Sequence, residues 1–194
     1  ILYKGGRSAL GQAAAEGHTG AMTGDYLQQK RLLSKAGAIV VETFNQFNAV
    51  FKWMTAYPDT KSLGQMAIVT NAGYETVGSV DILGDNDANT LYELTPENNQ
   101  QLTKVLTNHK LNSLVAAVNP LDLTPMANED VYFDCVESMV NFGVNVVMLG
   151  LVPLSNQIDT THLILAKEFA KKLSQLIEKK KCLIGVVIDA GIPF

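Results

Sequence analysis

The chain has 194 residues, room for one large or two small domains with ample core, and is 47% hydrophobic and 18% charged, an ordinary α/β composition. Its net charge of −4 argues against a nucleic-acid-binding surface. No apolar run approaches the ~18 residues needed to cross a bilayer, and no signal peptide is visible.

The two cysteines, Cys135 and Cys182, fall in apolar patterns and read as buried free thiols, which points to a cytoplasmic setting. The sequence opens on Ile1, inside what reads as a strand, so a fragment of a longer protein is expected.

In chain order, residues 1–4 predict a short strand, and residues 5–20 a glycine- and small-residue loop. A helix is expected over 22–36, burying Met22, Tyr26, Leu33 and Ala36, with Gly37 as its stop. Residues 38–41 read as a buried strand. Thr43 then caps a helix with Gln46 as its capping-box partner, and Phe47, Val50, Phe51 and Met54 give it an apolar stripe. Residues 57–64, with Pro58, Asp59 and Ser62, form the linker.

A fuller pattern follows. Strands are expected over 66–70, 91–94, 114–118, 145–152 and 182–189. Between them, Asn71-Ala72-Gly73 turns into a helix carrying Val77, Val80 and Leu83, and Thr95-Pro96-Glu97 starts another. A third helix over 128–142 buries Tyr132, Cys135, Val136 and Met139. A fourth, over 161–179, carries Leu165, Phe169, Leu173 and Leu176 on one face. The basic run at Lys179-Lys180-Lys181 then offsets a helix dipole.

Five apolar strands alternating with helices predict an α/β fold, a flavodoxin-like parallel sheet of order 2-1-3-4-5 with helices on both faces. Residues 1–62 hold too few strands for a closed sheet and read as a partial domain of the same kind, followed by a second domain over 63–194.

Ligands in such sheets sit beyond the carboxyl ends of the strands. His18, flanked by Gly17 and Gly20, is there a candidate phosphoryl carrier; the plainer reading is a surface histidine. Asn71, Ala72 and Gly73 expose backbone N–H groups at a helix start, which suits a phosphate. Asn119 and Asp122 either orient a ligand or merely turn and cap the chain. His109 and His162 read as solvated helix-end residues.

Lys4-Gly5-Gly6-Arg7-Ser8, followed by Gly17-His18-Thr19-Gly20-Ala21-Met22-Thr23-Gly24, resembles the active-site segment of the NDP-forming acyl-CoA synthetases. These are the ADP-forming acetyl-CoA synthetase (acetate–CoA ligase) relatives of succinyl-CoA synthetase. Ala67-Ile68-Val69-Thr70-Asn71-Ala72-Gly73 and Asn119-Pro120-Leu121-Asp122-Leu123 resemble two further blocks of that family, in the right order. Tyr74 and Glu75 stand where it often has a second glycine.

The resemblance implies His18 as the catalytic phosphohistidine, with Gly17, Thr19, Gly20, Asn71, Ala72 and Gly73 around the phosphate. The reaction implied converts acyl-CoA, ADP and phosphate to carboxylic acid, CoA and ATP, reversibly, with no permanently bound cofactor and no metal site in the chain. CoA and ADP/ATP with Mg would be substrates, bound largely by a CoA-binding Rossmann domain and an ATP-grasp domain or subunit not visible here. An oligomer is expected. The resemblance also leaves open a non-catalytic regulatory domain, as found fused to protein acetyltransferases, in which the histidine is typically lost.

Overall fold

The computed structural model describes residues 1–19, 24–57, 64–83, 91–152 and 163–188, with Thr19 and residues 163–165 described by backbone only. The chain divides into two compact units, Ile1–Lys61 and Ser62–Phe194.

Unit 1 is built on two parallel strands, β1 (Leu2–Tyr3) and β2 (Val40–Val41), in the register Leu2↔Val40 and Tyr3↔Val41. The expected loop over 5–20 is largely a helix, α1 (Ala9–Thr19). Ala9, Ala13, Ala14 and Ala15 have the highest helix propensity of any residue type. Ser8 starts the helix, accepting the Gly11 N–H on its hydroxyl at 3.1 Å and the Gln12 N–H on its carbonyl at 2.9 Å.

α2 (Tyr26–Lys35) is capped by Asp25, whose carboxylate accepts the Gln28 N–H at 2.9 Å. Tyr26 is buried, Leu33 half-buried and Ala36 exposed, while Met22 lies outside the described residues. α3 (Phe44–Ala56) carries the full capping box of Thr43 and Gln46. Its stripe is only partly covered: Phe47 and Val50 are half-buried, Phe51 and Met54 exposed.

Unit 2 has a parallel sheet of order β4-β3-β5-β6, formed by β3 (Met66–Thr70), β4 (Leu121–Asp122), β5 (Val146–Leu151) and β6 (Leu183–Ile188). With α4 (Gly73–Leu83), α5 (Pro96–Asn108), α6 (Glu129–Asn141) and α7 (Leu163–Lys180), it is an α/β fold with flavodoxin-like topology and helices on both faces. Alternation along the strands sorts the faces. Ala67, Val69, Val147, Leu149 and Ile184 join one core with Leu102 and Leu106 of α5, Tyr132 and Met139 of α6, and Phe169 and Leu173 of α7. Thr70 points the other way, its hydroxyl 2.6 Å from that of Thr76 in α4.

Two expected strands change. Residues 91–94 supply one parallel bridge, Leu91 to Met66. Residues 114–118 are not a strand: Leu114 and Val115 both turn back to the Leu111 carbonyl, and Leu114 is 63% exposed. The strand comes later, at Leu121–Asp122, and pairs Val69 and Thr70 on the same side of β3 as Leu91. β3 therefore pairs directly with β5, and the described strands run 2-1-3-4 in chain order.

Candidate functional site

At the carboxyl end of the unit 2 sheet, Asn71 follows β3 and is 1% exposed. Its carboxamide pairs reciprocally with the backbone of Val152, donating to the carbonyl and accepting from the N–H, each at 2.9 Å. The Thr76 hydroxyl donates to the Ala72 carbonyl at 3.1 Å. These bonds hold the Asn71-Ala72-Gly73 turn at the start of α4, where the helix dipole is positive. The Asn71 side chain is spent on this structural task, leaving only backbone groups to face a ligand.

Asp122, at the end of β4, accepts the Thr124 N–H on Oδ1 at 2.9 Å. Its Oδ2 would lie 3.3 Å from a Cβ placed on Gly73, so glycine permits this close approach. Asn71, Ala72, Gly73, Tyr74, Asp122, Thr124, Pro125 and Val152 together line a cavity of about 340 Å³. The structure thus brings Asn71, Ala72, Gly73 and Asp122 to one place. It also sets a carboxylate at the helix start, where an incoming phosphate would meet like charge. Burial pushes the nearby Tyr132 hydroxyl well above the usual tyrosine range, and the charges of Glu75 and Asp122 add to the effect.

Asn119 goes elsewhere. Its Oδ1 accepts the Ile68 N–H, and its Nδ2 donates to the carbonyls of Met66 and Tyr92, each at 2.9 Å. A carboxamide so engaged stitches the sheet edge, with both amide hydrogens and one of its two oxygen lone pairs given to the backbone.

In unit 1, His18 is exposed on the last turn of α1 rather than in an open loop. Gly17 beside it is exposed, with nothing within 4 Å of a Cβ placed there. The C-terminal end of a helix offers no stabilisation to an anion, so the described part of this segment presents the imidazole but no phosphate cradle. The Thr19 side chain, Gly20, residues 189–191 and His162 lie outside the described residues.

At the carboxyl end of the unit 1 sheet, Glu42 escaped sequence reasoning, while Arg7 was read only as part of a motif and Tyr26 only as a buried helix residue. Arg7, Tyr26 and Glu42 line a mixed polar cavity of about 600 Å³ with Gln12, Gly24, Asp25 and Leu27. Lys30 donates to Glu42 Oε1 at 2.7 Å, and Arg7 stands 3.7 Å from Oε2. The Lys30 bond holds the Glu42 carboxyl below its ordinary range and raises Lys30 in return. The signal available in the sequence was position, because Glu42 directly follows the Val40–Val41 strand.

His109 also differs from a solvated terminus. Its Nε2 lies 2.7 Å from Asp134 Oδ2, joining the end of α5 to α6. Cys135 and Cys182 are buried free thiols, and no group of three metal-ligating side chains occurs among the described residues.

An open parallel sheet with helices on both faces places the chain in the flavodoxin-like α/β fold class. Residues 1–54 match the succinyl-CoA ligase like flavodoxin domain. The chain is 37% identical over 83 residues to the 4-hydroxybutyrate–CoA ligase [ADP-forming] of Nitrosopumilus maritimus, covering 42% of this chain and 12% of that protein. It is 30% identical over 123 residues to the acetate–CoA ligase [ADP-forming] of Methanocaldococcus jannaschii, covering 63% and 16%. The chain therefore spans only a small part of these relatives.

The solved dinucleotide forming acetyl-coenzyme A synthetase 1 of Ca. Korarchaeum cryptofilum, in complex with phosphate and ADP, superposes with a TM-score of 0.67 at 22% identity. That likeness in fold covers 95% of this chain and 37% of the solved one. The apo form gives 0.65 at 20% identity. The sequence similarities are a family-level match to the ADP-forming acyl-CoA synthetases, and the solved structures add likeness in fold alone.

Proposed function

We propose that the chain is the phosphoryl-carrying part of an ADP-forming acyl-CoA synthetase, with His18 as the carrier. The observation that supports this best is an exposed imidazole within residues 1–54, the segment matching the succinyl-CoA ligase like domain. In this reading residues 1–62 are the back half of the histidine-bearing domain, and 63–194 are the second flavodoxin-like domain.

The chemistry suits an imidazole. Phosphate displaces CoA from acyl-CoA to give an acyl phosphate. A neutral ring nitrogen of His18 then attacks its phosphorus, forming an N–P bond and releasing the carboxylate. ADP takes the phosphoryl group from the histidine to give ATP. The Asn71-Ala72-Gly73 backbone, with its N–H groups at a helix start, serves as a phosphate-binding turn. A CoA-binding Rossmann domain and an ATP-grasp domain or subunit supply the CoA and ADP/ATP–Mg sites, so the chain alone does not turn over. The whole assembly is oligomeric and acts on a small carboxylic acid or its CoA thioester.

The Asp122 carboxylate at the start of α4 favours a second reading, a ligase-like regulatory module whose phosphate station is closed. One labelling experiment separates the two. Incubated with radiolabelled ATP and its ATP-grasp partner, the full-length protein should acquire acid-labile, base-stable phosphate, and His18→Ala should acquire none. Equal labelling of the alanine variant rejects His18 as the carrier. Absence of label in both favours the regulatory module.

A further inference from the structure

We infer that unit 2 binds a small neutral aliphatic chain, such as the alkyl end of an ester or thioester, in a cavity between α6, α7 and the carboxyl ends of β5 and β6. The cavity measures about 210 Å³ and shares no lining residue with the Asp122 cavity, so it does not depend on the phosphoryl-carrier reading.

Strand register creates the space. Leu149 pairs with Val186 and Leu151 with Ile188, which turns Leu151, Val186 and Ile188 toward the face covered by α7. α7 contributes the short side chains of Ala166 and Ala170, one turn apart, to the lining. Val186 and Ile188 remain 46% and 56% exposed, marking the open side.

The remaining walls are fixed. Phe169 and Leu173 are buried. The Tyr132 hydroxyl donates to the Gly150 carbonyl at 3.0 Å, and its ring meets Phe169 edge-on with centroids 6.5 Å apart. Preformed apolar walls of this kind favour a nonpolar guest over water, and a cavity of about 150 Å³ already accommodates benzene. The larger space here suits a short alkyl chain.

Charge narrows the class further. The one ionisable carboxyl in the lining is Glu129, half-buried in the first turn of α6. A free carboxylic acid would bring its anion toward this group, whereas an alcohol, ester or thioester brings none.

Hexanol and hexanoate share one chain and differ in charge, so they test both parts of the inference. Titrated into the 194-residue chain, hexanol should give saturable methyl NMR shifts at Leu151, Leu173, Val186 and Ile188, with hexanoate about tenfold weaker. Ala170→Leu, or Ala166→Leu should the first fail to fold, should abolish the shifts, with circular dichroism verifying the fold. Glu129→Gln should bring hexanoate close to hexanol. Shifts that do not saturate, or that persist in a folded Ala→Leu variant, overturn the site. Equal affinity of the two probes for the unaltered chain overturns the selection for a neutral guest.

Discussion

A single carboxamide at Asn119 carries three backbone hydrogen bonds, to Ile68, Met66 and Tyr92. It joins β3 to a stretch whose strand pairing, among the described residues, is the single Leu91 bridge. Asn119→Ala removes one bond from each of the three groups, the Met66 carbonyl keeping the Tyr92 N–H, and at about 1 kcal/mol per bond we expect a loss of about 2–3 kcal/mol in urea unfolding. Asn119→Asp should cost at least as much at neutral pH, since a carboxylate would face two carbonyl oxygens. A loss under about 0.5 kcal/mol for both would remove Asn119 from its stitching role. Asp122 invites the opposite kind of test. Neutralising it as Asp122→Asn should strengthen inorganic phosphate binding at the start of α4, read as amide shifts at Ala72 and Gly73. If phosphate shifts these amides equally before and after substitution, Asp122 does not close the station. If it shifts them in neither, the turn is not a phosphate site.

At the scale of elements, the capping signals in the sequence were the most legible, because they are local. Thr43 with Gln46 and Thr95 before Pro96 cap as their residue types predict, while Asn128, read as the first helical residue, proves to be the cap of α6. Thr43→Ala should therefore cost about 1 kcal/mol, measured as the thermal stability of α3 by circular dichroism. An unchanged melt would mean that packing, not the cap, holds that helix. What the sequence concealed is non-local. Glycines framing an alanine run suggested a loop at residues 5–20, yet propensity won and α1 formed. Apolar residues 114–118 matched a strand, but strand identity depends on finding a partner, and Asn119 filled that edge with its side chain instead. The candidate site was legible as a list of turns; the destinations of the Asn71 and Asn119 side chains were not, because asparagine serves a ligand or a neighbouring backbone with the same atoms.

The two units differ in what holds them. Among the described residues the buried hydrophobics of unit 1 are Tyr26 and Val41, whereas unit 2 has a continuous core reaching from α5 to α7. Hydrogen exchange at neutral pH should show early exchange in α1 and α3 and strong protection in β3, β5 and α6. Uniform protection across both units would contradict that inequality. Alkali should narrow the gap from the side of unit 2. Burial, with a smaller contribution from Asp134, pushes the Cys135 thiol from 9.0 up to about 12. The unfolded chain therefore loses this proton first while the folded chain keeps it. The associated stability is present below pH 9 and falls as pH rises toward 12, by up to about 1.4 kcal/mol per pH unit. Tyr132, also raised by burial, acts in the same direction above its ordinary value of 10.0. Both lie in α6, so the alkaline loss belongs to the better-packed unit. Urea midpoints at rising pH should fall steeply for the unaltered chain and less steeply for Cys135→Ala. An equal slope in that variant would exclude Cys135 as the titrating group.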